Sequence, residues 1–143
     1  MTNTNHLPPA VLEPGIWRGE FYGKVSGTVG SDVRSINFSG RISGICYIVV
    51  PARLTPPSSV KEHRSVVWIG AVSDNAQHSA VGLLSGDHDP RLLSLTLKVT
   101  FPEINTIIAL LKERLITEFR FEAVPGALAD ERVVTGWSGT FGV

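Results

Sequence analysis

A chain of 143 residues with 43% hydrophobic residues is long enough to form one domain around a core, and this composition excludes an intrinsically disordered protein. The sequence has no run of about eighteen apolar residues, so it predicts no membrane-spanning helix. The 13 basic and 13 acidic side chains cancel, which removes net charge as a reason to bind nucleic acid or an anionic membrane.

Two further features of the composition bear on partners and compartment. Charged residues make up 18% of the chain, against about 25% in an average soluble domain, which indicates either a large buried fraction or a surface covered by another chain. The single cysteine, Cys46, excludes an intrachain disulfide and is predicted to be a buried thiol. Residues 1–14 contain prolines but no basic or long apolar segment. They predict an extended arm before a single β domain at 15–143, and a cytoplasmic location.

The first regular pattern is an alternation of apolar and polar residues over positions 17–29, which predicts a strand with one buried face. Gly30 and Ser31 then predict a two-residue turn, and residues 36–48 predict a second strand. The register of this hairpin places each aromatic ring opposite a glycine, which stabilises by about 0.2–1 kcal/mol per pair. The predicted pairs include Trp17 with Gly44, Phe21 with Gly40, and Phe38 with Gly23.

The rest of the chain alternates between short strand patterns and turns, with one helical pattern. Glycines inside strands and alternating large and small residues predict strong curvature. We therefore expect a mainly β protein: a strongly curved antiparallel sheet of about seven strands, as a barrel or a two-sheet sandwich, with one α-helix near residues 103–116. The other predicted elements are a loop at 51–62 and strands at 63–73, 78–86, 93–101, 117–124 and 133–143.

A short motif, W-x-G-x-F, occurs at residues 17–21 and again at residues 137–141. Two copies without a regular period do not make a repeat protein. They indicate that the first and last strands solve the same packing problem, and we expect these two strands to be neighbours.

The start of the first strand, Gly15-Ile16-Trp17, resembles the G-x-W signature that opens lipocalin-like barrels. The resemblance implies a barrel that binds a small apolar ligand in its interior. The residues that would line such a cavity are Trp17, Phe21 and Phe38.

Residues 85–89 contain the strongest candidates for chemistry, because Ser85, Asp87, His88 and Asp89 are close in sequence and His78 precedes them. Such residues serve in hydrolases and metal sites. Asp, His, Asp and Pro in succession are also ordinary turn residues, and the sequence favours this interpretation. The sequence contains no glycine-rich nucleotide loop, so no cofactor is assigned. Because the turn interpretation is favoured at residues 85–89, no catalytic residue or metal ligand is assigned either.

The predicted third and fourth strands are apolar on both faces. If one face packs into the core, Val66, Trp68, Val72, Val81 and Leu83 form a second apolar surface, which a monomer rarely leaves in water. The helix at 103–116 is one candidate cover, and a partner protein or a second copy of the chain is the other. The sequence therefore favours a non-enzymatic binding or assembly module, with the ligand-binding barrel and the site at 85–89 as alternatives.

Overall fold

The computed structural model describes residues 12–31, 44–72, 81–86, 92–126 and 131–141. Within these ranges the chain forms strands and one helix, α1. Their bounds are β1 Gly15–Phe21, β2 Ser26–Ser31, β3 Gly44–Thr55, β4 His63–Val72, β5 Gly82–Gly86, β6 Leu92–Thr100, α1 Phe101–Lys112, β7 Ile116–Pro125 and β8 Glu131–Phe141.

The strands form one sheet in the order β1-β7-β8-β5-β6-β4-β3-β2, and an additional pairing of β1 with β3 closes seven of them into a barrel. The prediction of a strongly curved sheet is therefore confirmed, and the architecture is a barrel rather than a sandwich. The pairing is mixed, because β4 and β6 run parallel while the other neighbouring strands run antiparallel. Strand β2 is an extra strand outside the closed ring.

The predicted hairpin has the wrong register. Gly30 and Ser31 lie inside β2, in register with Ile45 and Gly44 of β3, so they do not form a turn. Trp17 lies opposite Phe121 of β7 rather than opposite Gly44. The predicted partners Phe38 and Gly40 lie outside the described residues.

The long first strand of the prediction is interrupted at residues 22–25, and this interruption is coupled to Pro51. Strand β3 continues through Pro51, although the sequence predicts a loop there. Because β3 pairs with β2 up to Val49 and with β1 from Ala52 onwards, the proline occurs between its two partners on that side. Its carbonyl accepts a hydrogen bond from the Tyr22 amide at 3.2 Å. Although proline has no N–H group, the sheet therefore loses no inter-strand hydrogen bond at this position.

Strand β7 lies between the two W-x-G-x-F motifs. Trp17 of β1 and Trp137 of β8 both lie opposite Phe121, and the two glycines that follow them, Gly19 and Gly139, both lie opposite Phe119. The first and last strands thus pair with the same two phenylalanines of β7 in the same way. The expectation that these two strands are direct neighbours is wrong, because β7 lies between them.

Helix α1 packs at one end of the barrel, where it contacts β3, β4, β6 and β7. It begins earlier than predicted because Thr100 caps it: the Thr100 hydroxyl accepts a hydrogen bond from the Glu103 amide at 3.3 Å and donates one to the Glu103 carboxylate at 2.8 Å. It ends at Lys112 instead of reaching residue 116. Three side chains of the helix enter the core: Ile104, Ile107 and Leu111.

Candidate functional site

The outer wall formed by β3, β4, β6, β5 and β8 carries apolar side chains on the side that faces away from the core. Alternation along β4 shows the arrangement: Val67 and Ile69 are fully buried, whereas Trp68 between them is 43% exposed. We call this surface the outer apolar face. It comprises Tyr47, Val49, Val66, Trp68, Leu83 and Val133.

The register of the strands aligns much of this face into one row. Val49 lies opposite Trp68, and Trp68 lies opposite Thr96 of β6. Thr96 in turn pairs with Leu83, which pairs with Val133. The row therefore crosses five strands and carries no formal charge. A continuous uncharged row is typical of a surface that contacts another molecule.

Two aromatic side chains of the face contact each other: Trp68, within the row, and Tyr47, beside it. The rings of Tyr47 and Trp68 have centroids 6.0 Å apart and are tilted by 40°. The Tyr47 hydroxyl also accepts a hydrogen bond from the Thr28 hydroxyl at 3.2 Å. Because Tyr47 is held from both sides, its ring and that of Trp68 lose little further freedom when a partner packs on them.

The structure gives three different placements to the residues predicted for a partner surface. Val66, Trp68 and Leu83 belong to the outer apolar face. Val81 precedes β5, is half-buried and packs against the core, and Val72 ends β4 in register with Thr100. The helix does not cover Trp68, since its buried side chains Ile104, Ile107 and Leu111 point into the core and Trp68 stays 43% exposed.

Sequence reasoning missed Tyr47 and Val49, although a signal was available. The predicted inward positions Cys46 and Ile48 imply that the residues between and after them point outwards. Ile48 is indeed buried, whereas Cys46, which was predicted to be buried, is only half-buried.

Two of the three residues predicted for an interior ligand cavity, Trp17 and Phe21, lie in a packed aromatic cluster. Trp17 is fully buried and stacks on Phe121 with ring centroids 5.9 Å apart, and its indole N–H donates a hydrogen bond to the Glu13 carbonyl at 2.7 Å. Phe21 stacks on Phe119 at 4.4 Å. Phe38 lies outside the described residues. The strand order also differs from the up-and-down order of lipocalin barrels.

A cleft of about 350 Å³ opens between the second half of α1 and the bend at residues 22–25. We call it the end cleft. Its walls are mostly apolar and include Phe21, whereas Trp17 does not reach it. It is lined by Phe21, Tyr22, Gly23, Lys24, Val25, Val50, Ile108, Leu111, Lys112, Arg114, Ile116 and Thr117.

A second cleft, of about 480 Å³, lies on the polar side of the barrel. Here β1 and β7 place two like-charged pairs in register: Arg18 opposite Arg120, and Glu20 opposite Glu118. Positively and negatively charged side chains both line the cleft and balance each other. The cleft therefore favours neither an anionic nor a cationic ligand.

The candidate chemistry at residues 85–89 rests mostly on positions outside the described residues, namely Asp87, His88 and Asp89; His78 also lies outside them. Ser85 is half-buried in β5, opposite Ser94 of β6. Within the described ranges, His, Cys, Asp and Glu side chains form no group of three or more that could hold a metal ion.

The helix in the described ranges does not have the length and hydrophobicity needed to cross a bilayer.

Comparison with known proteins adds no identity to this geometry. No protein-family model matches the chain, and neither a curated protein nor a solved structure is significantly similar to it.

Proposed function

We propose that this protein is a non-enzymatic assembly module that associates with a second copy of itself through the outer apolar face. The observation that carries the proposal is the row from Val49 through Trp68 and Leu83 to Val133, which is uncharged and spans neighbouring strands. Burial of apolar surface is the main favourable term in association, and each square ångström buried contributes about 25 cal/mol before the costs of ordering.

A second copy is the partner that the charges favour. The chain has a formal net charge of +0 at pH 7, so two copies do not repel one another over long distances. An uncharged face is also complementary to itself, whereas recognition of a different protein commonly uses matched charges. The charged fraction of 18% further supports a partly covered surface.

The test is the molar mass in solution, measured by light scattering or sedimentation over a wide range of protein concentration. We expect the mass to rise from 15.4 kDa, the mass of one chain, towards twice that value. The variant Trp68→Arg should remain at the single-chain mass, because a charge in the middle of an apolar interface is costly to bury.

The matched control is Val60→Arg, which introduces the same charge at a side chain that is 95% exposed and lies outside the face. It should associate like the unmodified protein. A mass that stays at 15.4 kDa at every concentration, or equal association of the two variants, would overturn the proposal.

A further inference from the structure

The end cleft combines an apolar floor with a rim of one charge sign. The floor includes Phe21, Val50, Leu111 and Ile116, which are all buried members of the core. Ile108 of the helix is half-buried and forms one wall. A pocket of about 350 Å³ is near the lower end of the range for small-molecule sites.

The rim carries three cations, Lys24, Lys112 and Arg114, and none of the residues that line the cleft is acidic. All three cations are exposed. Within the described ranges none of the three side chains makes a hydrogen bond or an ion pair. The rim therefore offers positive charge that the described protein does not neutralise.

The helix accounts for only part of this rim. Lys112 lies in the last turn of α1, where a cation interacts favourably with the helix dipole, and Arg114 comes two residues later, after the C-cap Glu113. Lys24 comes from the bend between β1 and β2, so the helix does not account for its place at the cleft.

Arg114 also occupies a position where the backbone favours glycine. Its φ is 56°, and the hydrogen bonds from the Arg114 amide to the Leu111 carbonyl and from the Leu115 amide to the Leu110 carbonyl form a Schellman motif. Residues other than glycine are strained in this region, and such strain is concentrated at functional sites. An arginine at this position holds its charge beside the cleft despite the backbone cost.

From these observations we propose that the end cleft binds a small amphipathic anion, an unbranched or cyclic apolar group that carries a carboxylate. The apolar part packs on the floor beside Phe21 and Ile108, and the carboxylate accepts hydrogen bonds from the cations of the rim. This site lies apart from the outer apolar face and does not depend on the proposed self-association.

The probes are decanoate, decanol and acetate, titrated calorimetrically into the full chain below their aggregation concentrations. Decanoate should bind about tenfold more tightly than decanol, since the difference is one charge-assisted interaction, and acetate should show no measurable binding. Lys24→Gln removes one of the three rim cations and should reduce the preference for decanoate over decanol. Ile108→Ala should weaken the binding of both decanoate and decanol.

The control is Lys61→Gln, which removes an exposed lysine that does not line the cleft. It should leave both affinities unchanged. Equal affinities of the unmodified protein for decanoate and decanol, or an unchanged preference in Lys24→Gln, would overturn the role of the rim. Failure of decanoate to bind at all, or unchanged binding in Ile108→Ala, would overturn the site.

Discussion

The ring of Phe119 in β7 covers the backbone of Gly19 in β1, and a Cβ atom at position 19 would overlap that ring. Phe119 has little room to move away because it also stacks on Phe21, with centroids 4.4 Å apart. The glycine therefore allows β1 and β7 to approach closely around a large side chain. Closure of the barrel depends on this contact, since β1 joins β7 to β3.

Gly19→Ala should lower the free energy of unfolding by about 1–3 kcal/mol, because the added methyl group overpacks a filled interior. Urea denaturation followed by far-UV circular dichroism measures this change. Gly136→Ala in β8 is the control: a Cβ at Gly136 has no neighbouring atom within 4 Å. That variant should change stability by less than about 0.5 kcal/mol. Equal effects of the two substitutions would contradict the contact.

The buried and exposed tryptophans should respond differently to the same substitution. Trp17→Phe removes a fully buried indole and its hydrogen bond to the Glu13 carbonyl, and should destabilise by about 2 kcal/mol. Trp68→Phe, on the outer apolar face, should change stability by less than about 0.5 kcal/mol when unfolding is measured at low protein concentration. A larger cost at Trp68 than at Trp17 would be inconsistent with the burial of these rings.

Thr100→Ala should destabilise the protein by about 0.5–2 kcal/mol, because it removes the hydroxyl that caps α1. Thr100→Ser keeps the oxygen and should restore most of this stability. Thr106→Ala supplies the comparison, since the Thr106 hydroxyl bonds only to the Pro102 carbonyl, at 3.4 Å, and alanine favours the helix. The thermal unfolding temperature of Thr106→Ala should equal or exceed that of the unmodified protein. A lower unfolding temperature for Thr106→Ala than for Thr100→Ala would argue against the cap.

Arg114→Gly should raise the free energy of unfolding by about 1 kcal/mol, since glycine relieves the strain of the positive φ. Arg114→Ala removes the same charge but keeps the strain, so it should not stabilise the protein. Denaturant unfolding of the two variants separates backbone from charge. Stabilisation by alanine equal to that by glycine would assign the effect to charge alone.

His63 should make the protein less stable in mild acid. Burial, and secondarily the positive charge of Lys61, lowers the pKa of His63 below 6.5. The unfolded chain then binds more protons than the folded one between the two pKa values. The contribution of His63 to stability is therefore complete above pH 6.5 and is lost as the pH falls from 6.5 through the folded pKa.

Denaturant unfolding across this pH range, for the unmodified protein and for His63→Gln, isolates this effect from the titration of the carboxylates. The stability of the variant should fall less steeply below pH 6.5. NMR titration of the imidazole, assigned by its loss in the variant, gives the folded pKa directly. A value at or above 6.5 would refute the prediction.

The sequence predicted which side chains share a face of the sheet, but it did not predict which strands pair with each other. Alternation placed Trp17 inside and put Ile69 and Trp68 on opposite faces, because the period of a strand determines which side chains share a face. It did not determine which strands are adjacent. The expected cover of a glycine by an aromatic ring does occur, but it is Phe119 that covers Gly19, from a strand a hundred residues away.

Two further predictions from the sequence, the loop at Pro51 and the burial of Val29, were wrong for a physical reason. Local rules treat Pro51 as a strand breaker, yet its lost N–H falls where β3 changes neighbours. Alternation likewise predicts Val29 to be buried, but β2 lies outside the ring and Val29 is 77% exposed. The end cleft was beyond sequence reasoning, since it joins Lys24 to Arg114 through tertiary packing alone.

The double pairing of β1 also fixes the order in which the molecule can be completed during synthesis. Residues 15–21 leave the ribosome early and find β3 soon afterwards, but their other edge has no complement until residues 116–125 emerge. Throughout that interval a nascent chain carries an open edge rich in backbone donors and acceptors, which is the usual starting point for aggregation. Slow codons ahead of β7 would therefore prolong the most vulnerable stage of its biogenesis.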